Sequence, residues 1–166
     1  MGHSFRQHAI YLLFFCILLL VVSFFLQFVL HRLPCPLCII DRMLVLMIFC
    51  VFCVGSLHNP KTLGQQVYYV VGTILSLMGL AVSTRHLWLL FLPPDQVPAC
   101  GPSVNYLFAN LPFHEAFLIV LQGSGECVSQ TPDFLGHELP ICTFVAFCLL
   151  ILGNLLGAWN AALKKG

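Results

Sequence analysis

Charge is what this sequence lacks. Only 8% of its 166 residues are charged, with six acids and seven lysines and arginines, where a soluble domain carries roughly 25%. That scarcity excludes an ordinary water-facing surface. A net charge of +1 gives no basic face for nucleic acid. No repeat, heptad pattern or low-complexity tract is visible. A small-x-small cleavage site is also missing after the first apolar run, which is too long for a signal peptide. The opening "MGHSFR" lacks the Ser or Thr of a myristoylation motif. What is abundant is apolar: 60% hydrophobic residues and a mean hydropathy of +0.97. The chain is short enough for one integral-membrane domain.

A spanning helix needs about 20 predominantly apolar residues. Stretches at about 9–30, 39–57, 67–87 and 141–163 qualify, so the expected fold is all-α, a bundle of four transmembrane helices. Arg6, Lys61, Lys164 and Lys165 stand with no acid among them, while Asp41, Asp95, Glu115, Glu126, Asp133 and Glu138 fall on the other side. Cytoplasmic loops carry the Lys/Arg excess. Both termini are therefore expected in the cytoplasm, with a short loop at about 31–38 and a long one at about 88–140 facing outward. Gly153 and Gly157 form a GxxxG, and Gly72 and Ser76 a small-xxx-small pair. Such positions let helices approach closely in lipid, and general bundle packing explains them.

Nine cysteines must be separated by depth. Cys35 and Cys38 open the second span, in "HRLPCPLCIIDR". Cys100 and Cys127 lie in the long outer segment. Cys16, Cys50, Cys53, Cys142 and Cys148 fall within spans or at their ends and are expected to pack as small apolar side chains. Cys50 and Cys53 repeat the CxxC spacing, but they lie roughly 20 Å along the helix from Cys35, away from water, where a thiol is inert. Cys35 and Cys38 differ. They sit at a helix N-terminus, which favours negative charge. Pro36 suits the first helical turn. Arg42 follows Cys38 by four residues and so shares its helix face, unless it simply pairs with Asp41 or reaches the headgroups. A CxxC can also be half a metal site. A zinc site usually takes four ligands, and no second CxxC or HxxxH stands on this side, so no metal is expected.

The outer segment is punctuated by Pro93, Pro94, Pro98 and Pro102 around Cys100. The apolar run Phe113–Gln122, bounded by Pro112 and Gly123, is too short to span and fits a helix lying at the interface. Gly123-Ser124-Gly125 then leads to Cys127. The residues alone leave two possibilities: a Cys100–Cys127 staple, or a disulfide that exchanges, as exposed ones do.

Pro34-Cys35-Pro36-Leu37-Cys38-Ile39-Ile40-Asp41-Arg42 resembles the "PCxLCxxxR" signature of the disulfide bond formation protein B (DsbB) family. Arg85-His86-Leu87-Trp88, "LPPDQVPACGP", "GSGEC" and "DFLGHELP" look like that family's outer-loop blocks, in order and over nearly the whole chain. The chain departs from many members in having Pro132 and Cys142 where they have tryptophan.

The resemblance implies a protein-dithiol:quinone oxidoreductase of the bacterial inner membrane. It implies disulfides Cys35–Cys38 and Cys100–Cys127, with a periplasmic DsbA-like oxidase as partner and ubiquinone or menaquinone as acceptor, without flavin or metal. By the same resemblance Cys100 receives the partner's thiolate, Cys127 exchanges with Cys35, and Cys38 faces the quinone. Arg42 stabilises the charge developing there, and His86 lines the head-group site. Two other classes are weighed. A quinone or epoxide reductase of the vitamin K type would carry its CxxC late in the chain. A non-enzymatic four-span organiser of the tetraspanin kind would show a Cys-Cys-Gly block in its large loop.

Overall fold

The computed structural model describes residues 5–29, 35–93, 96, 104–123 and 134–163. Among them the chain is helical throughout: α1 Phe5–Phe28, α2 Pro36–His58, α3 Thr62–Leu90, α4 Val104–Asn110, α5 Phe113–Gln122 and α6 Phe134–Leu163. In α1, α2, α3 and the Leu139–Leu163 part of α6 the helix is long and apolar enough to cross a membrane. In hydrocarbon every backbone N–H and C=O must be satisfied within the segment, which is why uncharged runs of this length become helices. Their outward faces carry Phe14, Phe25, Val54, Leu152 and Trp159, all exposed. In water such a surface would be an aggregation liability; in a bilayer it is the lipid face.

The helices run on past their apolar runs. α2 starts at Pro36 rather than near residue 39, because proline's fixed φ suits the first turn. It stops at Asn59, whose φ of 42° is left-handed and whose N–H caps the Gly55 carbonyl. α3 takes in the polar Thr62–Gln65 turn at one end and runs on to Leu90 at the other. α6 begins at Phe134 and carries Pro140 inside it. That proline lies in the second turn, where the missing N–H removes a single bond to the Gly136 carbonyl. The seven-residue α4 had no sequence expectation.

α1 packs on α2, α2 on α3 and α3 most extensively on α6, while α1 and α6 scarcely meet. Small residues make the α3–α6 contact. A Cβ on Gly79 would fall inside the Phe147 ring, and one on Gly157 inside the Tyr69 ring. Gly72 lets Asn154 and Phe52 come up against the α3 backbone. Fully buried Asn154 donates to the Leu150 carbonyl at 2.8 Å and to Ser76 Oγ at 3.5 Å. Both small-residue pairs thus serve packing within the bundle. Phe5, His8, Phe52 and Tyr69 close the end opposite the Cys35–Cys38 turn, with ring centroids 5.5–5.9 Å apart.

α5 is seated on the mouth of the bundle. Its buried Ala116 and Val120 pack with Leu107 and Ile40. Arg85 Nη2 donates to the Gln122 carbonyl at 3.1 Å, satisfying an orphan group at that helix end. Gly123 then turns with φ 74°, and a Cβ there would run into Leu89 and crowd Leu37. Both the left-handed φ and the close approach demand glycine. Gly123→Ala is expected to cost about 1–2 kcal/mol locally. Hydrogen exchange should then quicken along α5 while the protection of α3 and α6 is kept. Unchanged exchange in α5 would mean that this turn does not hold it.

Candidate functional site

The site begins with a helix cap. Cys35 is the N-cap of α2, with φ −69° and ψ 161°, and its sulfur accepts the Cys38 N–H at 3.3 Å. Pro36 supplies the first helical residue. One turn brings the two sulfurs to 2.8 Å as free thiols. A disulfide bond is about 2.05 Å, so closure needs a sulfur to swing by less than a bond length. Cys35 is buried and Cys38 half-buried.

His86 stands over both sulfurs. The buried stripe of α3, from Tyr69 through Gly72, Ser76, Gly79 and Ser83 to His86, turns that residue inward. Its Nε2 lies 3.8 Å from Cys35 Sγ and its Nδ1 4.0 Å from Cys38 Sγ. His86 lies against the dithiol and is not among the residues lining the adjoining cavity. One ligand atom from each of Cys35, Cys38 and His86 falls within 4.8 Å of the others. No fourth Cys, His, Asp or Glu joins that group among the described residues, whereas a closed zinc site takes four ligands.

The cavity is about 210 Å³ and lies between α1, α2 and α6, where the first and last spans part. Its walls are mostly apolar, including Leu20, Val45, Phe147 and Leu150. Its polar groups are Cys38, Asp41 and Arg42 from α2, Ser23 and Gln27 from α1, and Thr143 from α6. Cys38, Asp41 and Arg42 share one wall because residues three and four apart on a helix are neighbours.

Arg42 is fastened to α1. Its Nε donates to Ser23 Oγ at 3.0 Å and its Nη1 to Gln27 Oε1 at 2.5 Å. The guanidinium also lies 4.6 Å from the Phe24 ring centroid, a cation–π distance. It makes no ion pair with Asp41. Ser23 and Gln27 were not singled out from the sequence, though a signal existed: between residues 12 and 30 they are the hydroxyl and the amide in an otherwise apolar run. Asp41 belongs to the buried stripe of α2, between Leu37 and Leu44, and is 5% exposed.

The remaining cysteines divide. Cys16 is buried against the core, as expected, whereas Cys50, Cys142 and Cys148 are exposed on lipid-facing sides and Cys53 is intermediate. Cys142 also touches the cavity. Cys100 and Cys127 lie outside the described residues, as do Pro132 and Asp133.

Fold and site define a class: a multi-pass membrane protein with a vicinal dithiol at the mouth of one span, against an apolar cavity. The particular family follows from comparison with known proteins. The family described as "Disulfide bond formation protein DsbB" matches residues 5–157, and the chain belongs to it. Among curated relatives, "Disulfide bond formation protein B" of Nitrosococcus oceani is 47% identical over 153 residues, covering 92% of this chain and 89% of the relative. Proteins of the same name from Methylococcus capsulatus and Saccharophagus degradans are 42% and 40% identical. They cover 89% and 97% of this chain, and 90% and 95% of their own length. No solved structure matches the chain.

Proposed function

We propose that this protein sustains disulfide bond formation by reoxidising a periplasmic DsbA-like thiol oxidase and passing the two electrons to a membrane quinone. The observation that carries the reading is the Cys35–Cys38 dithiol opening onto an apolar cavity between spans. One reactant is aqueous and the other dissolved in lipid, and the dithiol stands where both can reach it. Family membership supplies the first half of the reading, since the relatives are named for disulfide bond formation.

The chain's residues divide the work. Cys100 takes the partner's thiolate, opening Cys100–Cys127 into a mixed disulfide, and Cys127 exchanges with Cys35. Cys38 then leaves as a thiolate at the cavity wall. Its helix N-terminus favours that anion, and the imidazole of His86 beside both sulfurs receives and returns protons as the S–S bond breaks and closes. The lining fits a quinone: its apolar walls would take the ring, and Cys38 and Arg42 on the α2 wall would offer it a thiol and a cationic donor. Ubiquinone or menaquinone, when bound there, supplies a two-electron, two-proton sink. Arg42 orients the ring and offsets negative charge developing on its oxygen, while Ser23 and Gln27 hold the guanidinium in place. The membrane is the bacterial inner membrane, with both termini cytoplasmic and the four working cysteines periplasmic.

Potentials show why a strong sink is required. DsbA sits near about −120 mV and thioredoxin near about −270 mV, a gap of roughly 7 kcal/mol for two electrons. A disulfide poised like that of thioredoxin could not reoxidise DsbA.

The test is turnover in proteoliposomes with reduced DsbA-like protein and ubiquinone or menaquinone analogues. Oxidation of the partner matched mole for mole by quinone loss is expected. No quinone loss with either analogue and a competent partner removes the reading. Within the same assay Arg42→Met should raise the quinone KM by about 10- to 100-fold, the worth of a hydrogen bond from a charged donor. Quinone-free exchange with the partner should be unchanged. An unaltered KM would take Arg42 out of the site.

A further inference from the structure

One group in the site has no task in the scheme above. Asp41 lies on the buried stripe of α2, yet it borders the cavity beside Cys38 and Arg42. Its side chain is 95% removed from solvent by the 5% exposure of the residue, and its Oδ1 has no hydrogen-bond partner. The nearby arginine does not serve it: the guanidinium is turned toward Ser23 and Gln27 of α1 and makes no ion pair with Asp41. An ionised carboxylate so placed would be uncompensated, whereas a carboxylic acid is tolerated. Leucine or isoleucine would pack the stripe equally well, so burial gives no reason for a carboxyl here.

We propose that Asp41 is the proton donor to the ring oxygen of the acceptor in this cavity, an inference that rests on the quinone reading. The chemistry of the site calls for such a group. Reduction of a quinone to a hydroquinone takes two electrons and two protons, and the apolar walls admit little water to deliver them. Asp41 stands one helical turn from Cys38, with Cβ atoms about 5–6 Å apart, so electron source and proton source share a wall.

The balance closes. Counted over the relay, two thiols of the reduced partner give up two electrons and two protons and Cys35–Cys38 returns to its S–S form; while Cys38 is a thiolate, a thiol proton is held on the His86 imidazole. Both electrons pass to the ring. Asp41 gives its proton to one ring oxygen and is recharged by one thiol proton; the other thiol proton reaches the second ring oxygen through water at the outer mouth.

The titratable groups around Asp41 are few. Cys38 and Arg42 come from its own helix and His86 from α3. Among the described side chains α6 contributes the thiol of Cys142 to the lining, and α1 the uncharged Ser23 and Gln27. On α5, His114 and Glu115 are exposed and are not part of the cavity lining.

The test has two arms. In the first, the wild-type protein without quinone is treated with dicyclohexylcarbodiimide, which attacks protonated carboxyls in apolar surroundings, and the modified residue is located by mass spectrometry. Asp41 should be modified, and a short-chain quinone analogue should protect it. In the second, Asp41→Asn and Asp41→Glu are compared with wild type. Quinone reduction by Asp41→Asn should fall by about 10²- to 10⁴-fold, the usual worth of a positioned acid. Its residual rate should climb as pH falls, because the proton must then come from solvent. Asp41→Glu should recover at least about tenfold of that loss. Quinone-free thiol exchange should be the same in all three.

A rate for Asp41→Asn within about threefold of wild type would overturn the proposal. So would the absence of modification at Asp41, or an equal loss in the quinone-free exchange, which marks a structural part. If Asp41→Asn does not fold, the labelling and the Asp41→Glu rates still decide. Wild-type protein that reduces no quinone removes the quinone reading and this inference together; active wild type beside an unimpaired Asp41→Asn removes this inference alone.

Discussion

Cys38→Ser should reduce no quinone, with the DsbA-like partner or with a small dithiol as electron source. This is the largest effect the site predicts. The cavity is bordered by Cys38, while Cys35 is the buried cap behind it. A serine at 38 keeps the helix turn and removes the only sulfur on the cavity wall among the described residues that belongs to the dithiol. Electrons arriving at Cys35 then have no way forward. Cys100→Ser separates the two halves of the relay. It should lose turnover with the protein partner yet keep turnover with a small dithiol, which can reduce Cys35–Cys38 directly. Cys50→Ser and Cys53→Ser, on the far part of α2, should turn over as wild type. If Cys100→Ser kept full turnover with the protein partner, Cys100–Cys127 would be a staple and the partner would act on Cys35–Cys38 itself.

Gly79→Leu should break the bundle where it is held most firmly. The α3–α6 pair depends on the flat backbone of Gly79 against Phe147, whose ring is 1% exposed and would have to leave this contact to admit a side chain. Overpacking a well-filled core costs about 1–3 kcal/mol for modest insertions. An alanine here already meets the ring, against the roughly 1 kcal/mol that replacing a helical glycine returns. Leucine should exceed both and separate the helices. Thermal unfolding in detergent should shift downward in the order wild type, Gly79→Ala, Gly79→Leu. Gly153→Ala is the matched control, since its Cβ would meet only the end of Leu12, at 3.1 Å. Equal midpoints for Gly79→Leu and Gly153→Ala would contradict this packing.

Much of this was legible before the structure. The four apolar runs became four long helices, and the run Phe113–Gln122 became a helix of those very bounds. Apolar length is a direct readout of the hydrocarbon thickness, so spans are easy to see. Their ends were less visible, because a helix continues into polar sequence wherever caps or packing allow. The Thr62–Gln65 turn opens α3 for this reason, and α6 runs through Pro140. In the site, spacing placed Cys35, Cys38 and Arg42 together because they share one helix. What it could not give were contacts between helices. His86 is 48 residues from Cys38, and only the rotation of α3 decides that it faces the thiols. Arg42 showed the same limit: sequence offered Asp41 next door, while the tertiary fold offered Ser23 and Gln27. A charged residue repeating within the apolar stripe of α2, at 41 between 37 and 44, was a readable sign of burial.

The parting of α1 from α6 bears on how the protein is supplied. The cavity is walled on both sides of that seam, and Val22 and Cys142 on its rim are exposed toward the hydrocarbon. A reactant entering there never crosses water. On the proposed quinone reading, the concentration that matters would be the mole fraction of quinone in the bilayer, not its amount per litre. Diluting the membrane with inert lipid should slow turnover as effectively as removing quinone, while diluting the whole suspension with buffer should leave the quinone step saturated. Inhibitors of this step would be ranked first by how they partition and only then by how they fit.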